Sequence, residues 1–218
     1  MGVRRRGRPL LPRLILAVAA VGLFLIAYQW GNQYRHGAGE PPELSGVLMR
    51  APQPLPEFTL TDARDARFDR SELTGHWSLI AFAPIRSAPG HRAVTRMIEI
   101  RNRIADRPDL QRQLRLLLVS ADAAPSLAMD FERLSPAIAV LSAPSAELAG
   151  LRDAVGADPA SAAVDDLPPL FLIDPDARLV AIFPSSQPAA EVAADLDALS
   201  NWPGLQSLGQ SREAIGRQ

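Results

Sequence analysis

The chain has 218 residues, of which 47% are apolar and 22% charged, with a formal net charge of −1 and no cysteine. That composition fits one main globular domain and excludes a disordered chain. It also excludes disulfides and every thiol chemistry, so the fold relies on its core alone.

All 23 basic residues are arginine, and five of them fall in residues 1–13, which hold no acid. The remaining 18 face 24 acidic residues, a balance of about −6 that argues against a nucleic-acid partner. The apolar run LILAVAAVGLFLIAYQW follows from Leu14 to Trp30, with Tyr28 and Trp30 at its edge. Seventeen residues span roughly 25 Å as a helix, and Leu10 and Leu11 lengthen the run if Arg13 snorkels. The arginine excess then predicts residues 1–13 as a cytoplasmic tail and 14–30 as a single transmembrane helix, with everything after it across the membrane. A cleaved signal peptide and a twin-arginine export signal are the competing readings of the same residues.

From Gly31 to Pro56 the sequence is polar, rich in Gly, Pro and Glu, and without periodicity. It reads as a tether stiffened by Pro52, Pro54 and Pro56, with the folded domain expected over residues 57–200 and a tail over 201–218. EFTLTD alternates as a strand does, ARDARFDR reads as a turn into a second short strand, and SELTG as a helical turn. The strongly apolar HWSLIAFA reads as a candidate buried strand. The turn APIRSAPG leads into an amphipathic helix with Val94, Met97, Ile98, Ile104 and Ala105 on one face, ended by Pro108.

A strand from Leu114, a helix from Pro125, a strand from Ala137 and a helix from Ser145 continue the alternation. PPLFLID and RLVAIF form two strands joined at Pro175, Asp176 and Ala177, and a helix from Pro188 to Leu199 closes the domain. The order β-β-β-α-β-α-β-α-β-β-α argues an α/β sheet with helices on both faces.

The stretch FTLTDARDARFDRSELTGHWSLIAF, with LLLVSADAAPS, AIAVLSAPSAELAGL and PPLFLIDPDARLVAIF, resembles the Sco/SenC family over roughly Leu55 to Leu199. The resemblance implies a thioredoxin-like fold with a central mixed sheet, preceded by the N-terminal anchor. It also implies an inner-membrane, single-pass protein with its domain on the periplasmic side. Members of that family bind copper through two cysteines four positions apart, in the turn after the buried strand, and a histidine before a late strand. They support assembly of the copper centre of cytochrome c oxidase.

On this chain the two cysteine positions fall on Ser87 and His91, and the histidine position on Asp166. None of the three ligands is retained, so no cofactor and no metal site are expected. A serine hydroxyl is neither a thiolate nor an electron donor, which removes disulfide exchange and peroxide reduction. His91 with Asp166 would make a weak site for a harder ion, and Met97 and Met129 are further ligand candidates that core packing explains as well. A Ser87, His91 and Asp166 triad lacks the flanking glycines of a nucleophile elbow. Through the resemblance, Pro168 is a candidate cis-proline facing the turn.

The expected function is therefore non-catalytic. The chain reads as an accessory or assembly factor whose partners are the membrane and respiratory oxidase subunits or assembly factors. A weak metal handler built on His91 and methionines, and a cysteine-free relative of tethered thiol-disulfide reductases that binds their clients, remain open alternatives.

Overall fold

The computed structural model describes residues 41–157 and 167–205. The expected cytoplasmic tail and membrane helix, residues 31–40 of the expected tether, residues 206–218 of the expected C-terminal tail, and Asp166 lie outside the described residues. Among the described residues no helix is long and apolar enough to cross a membrane. The chain divides into two units, Pro42–Asn201 and a second made of Met1–Pro41 with Trp202–Gln218. In the second, the Leu205 N–H donates to the Trp202 carbonyl at 3.3 Å.

Pro42–Asn201 is built on one eight-stranded mixed sheet that begins at the edge strand β1 (Val47–Pro54) and runs in the order β1-β8-β7-β4-β5-β6-β2-β3. At its centre β4 (Trp77–Phe82), β5 (Leu114–Ser120) and β6 (Ile138–Ser142) run parallel. Beside β4, β7 (Leu170–Ile173) runs antiparallel, followed by β8 (Arg178–Phe183). On the other flank a hairpin of β2 (Thr59–Thr61) and β3 (Arg67–Asp69) pairs with β6 through Thr61 and Ser142. The 3-10 turn Arg70–Leu73 follows it, where SELTG predicts one, capped by Asp69.

Every residue of β4 is buried, as a strand covered on both faces requires. Ile80 and Phe82 share one core cluster with Leu117, Val119, Phe171 and the helix α4 (Ser145–Val155), which contributes Leu148, Leu151 and Val155. Strand alternation sends Leu79 and Ala81 to the opposite face. There α1 (Ala88–Arg103), burying Val94, Met97 and Ile100, packs on α5 (Ala189–Ser200), which buries Val192, Leu196 and Leu199. The helix α3 (Pro125–Leu134) packs beside β6. The predicted elements from EFTLTD onward are all present.

Two expectations are corrected. The tether ends earlier than Pro56: β1 (Val47–Pro54) is an edge strand, paired antiparallel with β8 at Val47–Ile182 and Leu48–Ala181, and again at Gln53–Leu179 after a bulge. Its prolines are tolerated because an edge strand leaves half its N–H groups outside any ladder, and its residues are mostly exposed, so it carries no apolar period. The Asp195 carboxylate fixes its entry, accepting the Ser45 and Gly46 N–H groups at 3.1 and 2.8 Å. Pro108 does not end α1, which stops at Arg103; it opens a separate short helix α2 (Pro108–Gln113), the position where proline costs a helix nothing.

The β7–β8 turn falls where Pro175, Asp176 and Ala177 place it, with Ala177 at φ 56°. Asp174 closes it, accepting the Arg178 backbone N–H at 2.9 Å and the Arg178 guanidinium at 2.8 and 2.6 Å. Both side chains are buried, at 2% and 9% exposure, so the pair is shielded from solvent screening.

Candidate functional site

The turn between β4 and α1 is set by local chemistry. Ser87 has the extended backbone of a helix N-cap, φ −91° and ψ 156°, and its Oγ accepts the Gly90 N–H at 3.1 Å. The Ser87 hydroxyl donates its proton to the Pro84 carbonyl at 2.7 Å. The Pro84 carbonyl sits so close to the first helical turn that a Cβ at position 90 would lie 2.4 Å from its oxygen. Only glycine fits there.

From below, the buried Ser120 at the end of β5 holds the same turn. Its Oγ accepts the Ile85 N–H at 3.2 Å and the Asp122 N–H at 3.0 Å. Ser120 escapes sequence reasoning because a lone serine at the end of an apolar strand carries no distinguishing pattern.

His91 is exposed, one turn into α1, and its ring meets Phe131 of α3 edge-on at 5.0 Å. The Ser87 proton is given to a backbone carbonyl and not to His91, so the two do not form a nucleophile–base pair. Asp166 lies outside the described residues. Met97 is fully buried in the α1 core face, and Met129 is half-buried on α3, so core packing accounts for Met97. Pro168 is buried, but no peptide bond among the described residues is cis, so Leu167–Pro168 is trans and the expected cis-proline is wrong. The trans form is the one an X–Pro bond adopts by default, by about 0.5–1 kcal/mol, where nothing in the surroundings selects cis.

Beside the turn, the end of β4 is closed by aromatics. Phe82 meets Phe171 in a T-shaped contact at 5.8 Å, and the Arg152 guanidinium of α4 lies 5.7 Å from the Phe82 ring centre. Under the other face of α1 the buried Arg96 donates to the Pro184 and Gln187 carbonyls at 2.8 and 2.6 Å. Burial pulls its guanidinium below the ordinary arginine value. Gln187 in turn donates to Asp195 at 2.8 Å, so α1, α5 and the start of β1 share one polar network.

No protein-family model matches the chain, and no curated protein matches it. Among solved structures the chain is similar to apo Sco1 from Thermus thermophilus, at TM-score 0.58 and 17% identity over 72% of this chain and 96% of that one. It is similar to copper-bound ScoI of Bradyrhizobium japonicum, at TM-score 0.51 and 20% identity over 66% and 98%. It is also similar to BsSco, a member of the Sco family of cytochrome c oxidase assembly proteins, at TM-score 0.53 and 13% identity over 71% and 98%.

The fold is that of the Sco proteins. It is an α/β, thioredoxin-like fold with a mixed central sheet, as the resemblance implies. On this Sco fold the strand-to-helix turn is kept, while the side chains at the two expected cysteine positions do structural work: Ser87 caps α1 and His91 packs on Phe131. A copper(I) site of the implied kind needs soft thiolates, and the chain has none. Among the described residues no group of three or more His, Asp or Glu is placed to hold a metal ion. The residues present do not fit the copper of the implied site.

Proposed function

We propose that this chain is a Sco/SenC-type protein that has lost the family's metal and thiol site and works by binding, as an accessory or assembly factor for a respiratory oxidase. The observation that carries the reading is the turn itself. Its backbone is maintained by Ser87, Gly90 and Ser120, yet the Ser87 proton is committed to the Pro84 carbonyl and His91 to an aromatic contact. A scaffold kept in order without its reactive atoms suits a docking surface, and Arg86 in the turn with Arg152 over Phe82 gives that surface positive charge. The oxidase context comes from the Sco likeness. The same reading places residues 14–30 as an inner-membrane anchor and the domain on the periplasmic side.

Two measurements test it. Titration of the purified full chain with copper(I) against a competing chelator should show no stoichiometric site; submicromolar, one-to-one binding would overturn the proposal. Crosslinked pull-down from membranes should recover oxidase subunits or their assembly factors. Recovery of cytochrome c maturation factors instead would support a client-binding relative of the thiol-disulfide reductases.

A further inference from the structure

The other end of β4 carries a second concave site. A cavity of about 470 Å³ opens where His76 enters β4, Arg115 lies on β5 and Pro136–Ala139 lead into and along β6. Six residues of strand separate it from the Ser87 turn, roughly 20 Å. The charged side chains that line it are all basic: Arg101 from α1, Arg112 from α2 and Arg115 from β5, with His76 beside them. No acidic side chain among the described residues lines it.

The polar groups of this cavity are held in place yet incompletely paired. Gln111 of α2 donates to the Arg101 carbonyl at 3.1 Å, which fixes the arginine's backbone at the wall. The Arg101 Nε and the His76 Nδ1 are both buried and have no hydrogen-bond partner among the described residues. Arg115 gives one N–H to the Glu72 carbonyl at 2.6 Å and forms no ion pair among the described residues. Arg112, at the rim, pairs with Asp109. Guanidinium groups gathered without counter-charge repel one another.

An anion relieves that repulsion. Guanidinium forks match the paired oxygens of a phosphoryl or carboxylate head, and a low-dielectric wall strengthens the attraction. The floor beneath is apolar, formed by Phe68 and Leu117 among others, which suits a ligand with an apolar body behind that head. We infer that this cavity binds a small oxyanion-headed ligand with an apolar body, its head on Arg101, Arg115 and His76. The site is independent of the proposed docking turn.

Calorimetric titration of the purified full chain with phenyl phosphate, benzoate and inorganic phosphate tests the inference. Saturable one-to-one binding of phenyl phosphate or benzoate is expected, and the tighter of the two names the head group. Arg101→Gln and Arg115→Gln should each weaken it about tenfold, a loss of about 1.4 kcal/mol, and Ser87→Ala should leave it unchanged. Arg101→Lys, which keeps the charge and loses the fork, should fall between parent and Arg101→Gln, and an unchanged thermal midpoint in each arginine variant separates lost binding from lost folding. Absence of saturable binding by both aromatic probes, or equal binding by the Arg101→Gln/Arg115→Gln double variant, would overturn the site. Inorganic phosphate binding as tightly as phenyl phosphate would overturn the role of the apolar floor.

Discussion

If Ser87 now serves the turn rather than chemistry, removing its hydroxyl must cost stability. Ser87→Ala deletes two hydrogen bonds at once, the 2.7 Å donation to the Pro84 carbonyl and the 3.1 Å acceptance from the Gly90 N–H. Loss of a serine N-cap costs about 1 kcal/mol, within a range of about 0.5–2. Gly90 is buried, so its N–H is left without its acceptor in a place water reaches poorly, which pushes the figure upward. The expected destabilisation is about 1–2 kcal/mol, a fall in thermal midpoint of roughly 3–6 °C for a unit of this size. Urea unfolding followed by fluorescence of Trp77, which is 6% exposed in β4, reads it directly. Ser87→Thr, which keeps the hydroxyl, should stay close to the parent. A catalytic or ligating residue is commonly held at the expense of stability, and its alanine variant is then neutral or more stable. A Ser87→Ala protein as stable as the parent would refute the structural reading of this residue.

Gly90→Ala should cost about 1–3 kcal/mol by forcing the Pro84 carbonyl off the helix start, and combined with Ser87→Ala the two losses should fall short of their sum, since both open one turn. Asp174→Ala should destabilise by about 3 kcal/mol in chemical denaturation, at the low end for a broken buried pair because Asp176 still reaches Arg178 at 2.8 Å. Asp195→Ala should speed hydrogen exchange at Ser45, Gly46 and the β1 ladder while leaving the β4 amides protected, since it removes the acceptor for two backbone N–H groups. Restoring the implied ligands with Ser87→Cys, His91→Cys and Asp166→His should give copper(I) binding tighter than the parent's, measured by chelator competition. Failure of that variant would show that the turn has departed from the family's ligand geometry.

The central strands and the main helices were legible because each signals its environment in its own residues. WSLIAF is apolar but for the buried Ser78 because β4 is covered on both faces, and Val94 and Met97 repeat at helical spacing because α1 buries one side. The β1 strand was not legible: it lies at the sheet edge with its side chains mostly in solvent, so neither period nor β-propensity marks it, and its prolines argue for a linker. The trans bond at Pro168 was equally out of reach, since the expectation came from a likeness and the isomer is chosen by what surrounds the bond.

For the site, the sequence by itself settled that no thiol is present, and with that the absence of any thiolate chemistry at the turn. This follows from the atoms a chain possesses, which no folding can add to. Only the tertiary structure decided what the replacements do: that the Ser87 proton goes to Pro84, that His91 meets Phe131, and that Ser120 supports the turn from below. It alone brought Arg101 of α1, Arg115 of β5 and His76 of the turn before β4 to one cavity. Such partners lie far apart along the chain, and their meeting depends on the order and register of strands in the sheet, which local patterns of apolar residues do not encode.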